Sequence, residues 1–205
     1  MLMRTLAKLS IENFKSIRKQ TLALGALNVF IGGNGSGKSN LISVFRFLRE
    51  IVTKNLQSYT AMKGGANSIL HYGVKNSRSL TIRLDFDSGL FSNAYSVSLV
   101  PTADDNFFIF NEVAYYHDKV RYPNKPFDFP VSSSTTESKL RDTDHICARQ
   151  AMDDLESYRV YHFHDTSDTA AVKQTADIDD NEYLRPHAEN LASFLFWMQE
   201  KEPDH

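Results

Sequence analysis

Apolar and polar positions alternate over residues 79–87, 94–100 and 107–116, and again near 6–14, predicting four strands; a shorter one is predicted near 21–24. Leu80, Ile82, Leu84 and Phe86 alternate with Thr81, Arg83, Asp85 and Asp87, the period of a half-exposed antiparallel strand. The stretch Leu27, Asn28, Val29, Phe30, Ile31 breaks that rhythm. It is apolar almost throughout and predicts a buried strand. Beyond it Leu41, Val44, Phe45, Leu48, Ile51 and Val52 recur at helical spacing, predicting a helix that runs to about Leu56. Gly64 and Gly65 mark a turn. Residues 122–144, with three prolines and the run Ser132 to Thr136, predict a long surface loop. A helix near 145–156, a strand near 158–164 and a helix near 189–200 complete the layout, and Leu191, Phe194, Leu195 and Met198 share a predicted core face.

Between the apolar stretch and the first helix stands Gly32-Gly33-Asn34-Gly35-Ser36-Gly37-Lys38-Ser39, which fits G-x-x-x-x-G-K-[ST]. Strand, loop and helix in that order are the context in which this pattern cradles phosphate. Glycines let successive backbone N–H groups turn inward toward anionic oxygens. In such a loop Lys38 supplies a cation to the β- and γ-phosphates, Ser39 offers its hydroxyl to Mg²⁺, and the helix adds its positive end. A bound nucleoside triphosphate follows.

Asn34 within the loop and Asn40 after it, with Ile11-Glu12-Asn13-Phe14-Lys15-Ser16 upstream, make a pair of motifs that resembles the RecF/SMC/OLD group of ABC-type ATPases. Tyr161-His162-Phe163-His164-Asp165-Thr166-Ser167, and the stretch from Asp180 and Asn181 through Leu184 to Asn190-Leu191-Ala192, resemble segments of RecF-like bacterial AAA-family ATPases. Those relatives often read D-G-x-N-L in the later segment; here Pro186-His187-Ala188-Glu189 precede Asn190, and the Asp-Gly turn is missing. The resemblance implies an α/β P-loop NTPase fold whose N-terminal lobe combines a mixed nucleotide-binding core with an antiparallel β-subdomain. It divides the chain into strands, loop and first helix (1–56), β-subdomain (57–120), flexible insertion (121–144) and a helix–strand–helix segment (145–205). It implies ATP and Mg²⁺ as cofactors and a site of Gly32, Asn34, Gly35, Ser36, Gly37, Lys38, Ser39 and Asn40, with Ser39 on the metal. Lys15 and Ser16 occupy the position where that group brings its N-terminal strand toward the nucleotide; a solvent-facing loop is the alternative. The role implied is DNA repair or defence against phage, through a homodimer or a partner ATPase half that sandwiches ATP.

A complete ATPase of that kind also needs a buried apolar strand ending in Asp and a catalytic Glu. Leu80 to Asp87 is the nearest imitation, and its alternation and the Ser88-Gly89 turn argue against it. With no signature loop either, the chain reads as the N-terminal half of an ATPase, inactive in turnover on its own, or as a non-hydrolysing ATP-binding scaffold. No G-x-S-x-G elbow points to a serine hydrolase. Asn124-Lys125-Pro126-Phe127-Asp128 misplaces the acid a GTPase would need, and the acidic second half does not suit a kinase lid.

Charge is divided unevenly along the 205 residues. Residues 1–100 carry 13 Lys and Arg against 4 Asp and Glu, a net of +9; residues 101–205 carry 10 against 21, a net of −11. Arg46, Arg49, Lys54 and Lys63 lie past the loop and are read as the solvated face of the helix and its exit, with DNA as the alternative occupant. A single cysteine, Cys147, leaves no disulfide framework and suits a reducing compartment. With no apolar span of membrane length, a cytoplasmic location is expected. His162 and His164, followed by Asp165, invite a metal reading, but no third ligand is identifiable.

Overall fold

In a computed structural model the described residues are 5–158 and, beyond them, 160–161, 170–173, 175, 177–185 and 188–201. The chain divides into two units, residues 1–158 and 159–205.

The first unit is built on a six-stranded sheet in the order β2-β1-β3-β4-β5-β6, with every neighbouring pair antiparallel. Its strands are β1 (Thr5–Phe14), β2 (Ile17–Ala23), β3 (Leu80–Asp87), β4 (Phe91–Pro101), β5 (Phe107–Asp118) and β6 (Phe127–Ser132). β3 alternates strictly, with Leu80, Ile82, Leu84 and Phe86 buried and the intervening residues half-buried. Such alternation gives the sheet one apolar and one polar face. The apolar face meets α1 (Lys38–Val52), α2 (Leu56–Met62) and α4 (Ile146–Ser157). Val44, Phe47, Leu48, Ile51 and Val52 of α1 are buried there, one helical face turned to the sheet. Phe47 sits at the junction, its ring 5.6 Å from Phe14, 5.7 Å from Tyr59 and 6.0 Å from Phe107.

Several expected boundaries move. The first helix ends at Val52, because Lys54 turns left-handed (φ 60°) and α2 starts afresh at Leu56. Glu137 stops that second start from fraying by accepting from the Leu56 and Gln57 N–H groups, both at 3.0 Å. The Gly64-Gly65 turn is present and leads into α3 (Ala66–Ile69). The loop expected over 122–144 instead contains the edge strand β6, paired to β5, and a 3-10 turn at Leu140–Asp142. Pro130 is tolerated because β6 pairs on one side only.

The largest departure concerns residues 27–31. They belong to no strand; Leu27 is 85% exposed and Ile31 93%. An apolar run forms a buried strand only where sheet neighbours take up its backbone groups on both sides. None of the described residues does so. The mixed core with parallel pairing is therefore not found among the described residues, and the sheet present is antiparallel throughout.

The second unit contains a 3-10 turn at Ala171–Lys173 and α5 (Leu191–Lys201). Asn190, fully buried, donates to the carbonyls of Asp180 and Tyr183 (both 2.8 Å) and accepts from Arg185 N–H. On α5 only Ser193 is buried; Leu195 is 53% exposed, so the expected core face is at most half covered. Of the strand expected near 158–164, Tyr158, Val160 and Tyr161 are not in strand, and the rest lies outside the described residues.

Candidate nucleotide site

α1 begins at Lys38 directly from Gly37, whose φ of 95° no branched side chain adopts comfortably. Gly35 turns the same way (φ 83°) with open space where a Cβ would stand. These two positions curl residues 32–37 back over the start of the helix. No side chain caps that helix and no acidic residue lies in its first turn. Its first N–H groups therefore remain available to an anion, with the positive end of the helix dipole behind them.

Lys38 folds over the loop. Its Nζ donates to the carbonyls of Gly32 (2.5 Å) and Gly33 (2.8 Å) and lies 3.2 Å from Ser36 Oγ. The ammonium is thus held at the loop, where phosphate oxygens would exchange with those carbonyls. Asn34 and Ser39 are exposed, on the loop and the first helical turn respectively. A backbone cradle with open space at Gly33 and Gly35, a lysine at its rim and a hydroxyl at the helix start form a donor set that fits a Mg²⁺-bound triphosphate.

The turn between β1 and β2 packs against this helix. Asn40 Nδ2 donates to Ser16 Oγ at 2.7 Å, and a Cβ built on Gly37 would stand 3.4 Å from that same oxygen. Lys15 Nζ donates to Ser43 Oγ (3.2 Å), which donates to the Asn40 carbonyl. Lys15, Ser16 and Asn40 are thereby gathered beside the loop. Ser43 has the same place in this network and was not singled out in the sequence; its spacing of four residues from Ser39 was the available signal. Burial holds the Lys15 ammonium below the ordinary lysine value, and the nearby Lys63 and Arg46 charges add to the shift.

The carboxylates of Asp85 and Asp87 are engaged away from the loop. Asp85 pairs with Arg83 (2.8 Å) and Lys8 (3.4 Å) on the polar sheet face, and Asp87 is bound by Lys119 at 2.8–2.9 Å. β3 is antiparallel to both neighbours, and neither acid stands at the end of a buried parallel strand. His162, His164 and Asp165 lie outside the described residues. Among the described residues no cluster of three His, Cys, Asp or Glu side chains could hold a metal ion, and no helix is long and apolar enough to cross a membrane.

A family profile described as an AAA ATPase domain matches residues 5–194. The chain belongs to this family. The match takes in the phosphate loop, the whole sheet and the start of α5, and it implies ATP as the ligand with Mg²⁺ as its counter-ion. No curated protein matches the chain. Within the ATPase domain, the six-stranded sheet presents α1 and its loop at the end nearest the β1–β2 turn, so β1 and α1 together position the site.

Proposed function

We propose that this ATPase domain is the nucleotide-binding lobe of a RecF/SMC/OLD-like ABC-type ATPase, and that Gly32, Asn34, Gly35, Ser36, Gly37, Lys38, Ser39 and Asn40 bind MgATP with Lys15 and Ser16 beside them. The observation that carries the reading is the seating of the Lys15-Ser16 turn on Asn40 and Ser43, next to the loop. Two motifs far apart in sequence meet at one site.

Mg²⁺ bound with ATP would supply charge compensation to the β- and γ-phosphates. The protein groups divide the remaining work. Backbone N–H groups of the loop and of the first turn of α1 orient the phosphate chain, Lys38 balances its charge, and Ser39 offers a metal ligand. Asn40 holds Ser16 against the loop so that the site is assembled before the nucleotide arrives.

Hydrolysis requires in addition an acid to hold Mg²⁺ and orient water, and positive charge on the far side of the γ-phosphate. We assign these to a separate ATPase half, because a second copy of this chain would bring the same residues and no such acid. The exposed apolar stretch Leu27–Ile31 supports this reading. Beside it a groove of about 770 Å³, lined by Leu6, Leu9, Leu24, Phe30, Leu41 and Phe45, offers apolar surface to an added strand. The process served is DNA repair or anti-phage defence. A non-hydrolysing ATP-binding scaffold is the second reading, favoured by the engagement of Asp85 and Asp87 in ion pairs away from the loop. Phosphate release separates the two: the ATPase reading expects turnover once the partner half is added, the scaffold reading none with or without it.

A further inference from the structure

Residues 71–77 form a tight turn that presents one ring to solvent. Tyr72 is 80% exposed, and its backbone turns left-handed at φ 52°. For a bulky side chain that conformation is an outlier, and it persists only where neighbouring bonds fix it. Here they do. Asn76 Nδ2 donates to the Tyr72 carbonyl (2.8 Å), Ser77 Oγ to the His71 carbonyl (2.7 Å) and Val74 N–H to Asn67 Oδ1 (3.0 Å). The turn is seated so closely on Asn67 that a Cβ at Gly73 would stand 2.4 Å from that oxygen. Asp105, which bonds Asn67 in turn, is occupied at the start of α3, its Oδ1 accepting from Asn67 N–H and its carbonyl from Ala66 N–H, both at 2.7 Å. Among the described residues the ring partner of Tyr72 is the His71 imidazole, 4.4 Å away and edge-on.

The same segment is tied to the phosphate loop through the β1–β2 turn. His71 N–H donates to the Asn13 carbonyl (3.1 Å), Lys15 N–H to the Ile69 carbonyl (2.8 Å), and His71 Nδ1 to the Lys15 carbonyl (2.7 Å). A carbonyl only accepts, so Nδ1 carries the proton and the imidazole is held in one orientation. Ser16, the next residue, accepts from Asn40 Nδ2 on the first turn of α1, and its Oγ lies 3.4 Å from where a Cβ on Gly37 would stand. Gly37, Ser16, Lys15, His71 and Tyr72 thus form one connected frame that runs from the phosphate loop to an exposed ring. Phe30, the exposed ring nearest the loop in sequence, lines the apolar groove beside β1 instead.

We propose that Tyr72 is the platform on which the base of the bound nucleotide stacks, with His71 as the positioning residue that holds the ring beside the phosphate loop. The proposal deepens the nucleotide-site reading and rests on it. Residues 32–39 supply donors and a metal ligand to phosphate, but none of them carries an apolar or aromatic side chain for a base. A tyrosine ring offers a face on which any base can stack. Stability alone disfavours a strained backbone at a residue whose ring is left in water. A ligand that covers the ring gives that strain a use.

The test is calorimetric titration of the full chain with MgATP and, separately, with Mg²⁺ and inorganic triphosphate, which has no base. The parent is expected to bind ATP more tightly than inorganic triphosphate. Tyr72→Gly removes the ring and adopts a φ of 52° without steric cost. That variant should keep the parent's far-ultraviolet spectrum and its affinity for inorganic triphosphate, and lose affinity for ATP about tenfold or more. Tyr72→Phe, which keeps the ring face, should bind ATP as the parent does. Gly37→Val should lose both ligands. An ATP affinity unmoved by Tyr72→Gly, an equal loss of both ligands in that variant, or equal binding of the two ligands by the parent would each overturn the proposal and leave the phosphate loop standing. Failure of the parent to bind either ligand would instead sink the nucleotide-site reading, and the proposal with it.

Discussion

In the proposed nucleotide site Gly37 and Lys38 act by different means. At Gly37 the constraint is backbone: φ is 95°, and the nearest obstacle to a Cβ, Ser16 Oγ at 3.4 Å, leaves little slack. Gly37→Val should therefore displace the loop and abolish nucleotide binding while the sheet, which does not depend on it, keeps its far-ultraviolet spectrum. Retained binding with a native spectrum would show that the loop is no phosphate cradle. Asp87 offers a test away from the site. Its hydrogen bonds from Lys119 hold its carboxyl below the ordinary value of 3.8, with help from the N–H groups of Gly89 and Ser88. A carboxyl lowered in the folded state adds stability that is present above 3.8 and lost as pH falls through the lowered value. Lys119→Ala should lower the melting temperature slightly at neutral pH, and the gap to the parent should close in acid. A gap independent of pH would assign the effect to packing.

Among the elements, β5 explains why some of the fold was legible in sequence and some was not. Strict alternation made β3 readable as antiparallel and half-exposed, and that reading also removed Asp85 and Asp87 from the catalytic candidates. β5 starts with odd-numbered residues Phe107 and Ile109 inward, then changes phase so that Glu112 and Ala114 face in. Register shifts at Ser98/Leu99 and Glu112/Val113 accompany the change. A period-2 reading cannot anticipate such a slip, so Glu112 gave no sign of being buried. It is fully buried and accepts from Tyr95 Oη (2.7 Å), Ser132 Oγ (2.7 Å), Ser138 Oγ (2.5 Å) and Lys139 N–H (3.1 Å), joining β4, β5, β6 and the following loop. Glu112→Ala would orphan several buried donors at about 1–3 kcal/mol each, so chemical denaturation should show a loss of roughly 3 kcal/mol or more. A loss under about 1 kcal/mol would mean that water replaces the carboxylate. β6 escaped notice because Pro130 and the serine-rich run beside it carry loop chemistry, whereas its pairing depends on β5.

For the whole molecule, the curled backbone of residues 32–37 was legible because it follows from local geometry, with Gly35 and Gly37 at positive φ. Residues 27–31 were misread because burial of an apolar stretch depends on neighbours that the stretch does not encode; no described residue pairs with it. The meeting of Lys15 and Ser16 with Asn40 and Ser43 is a tertiary fact, anticipated for Lys15 and Ser16 by resemblance alone. On this account the chain by itself should release phosphate from ATP at near background rates. Missing positioning and electrostatic groups commonly cost about 2.7–4 kcal/mol each. Robust turnover by the 205-residue chain would locate the missing acid within it. The claim on which everything else depends is that MgATP binds at residues 32–39, and calorimetric titration of MgATP into the full chain and into Lys38→Ala tests it most directly. The account predicts saturable binding by the parent and a loss of about 1.5–3 kcal/mol on removing the charge-assisted contact. Equal affinity in both proteins, or no binding by the parent, would contradict it.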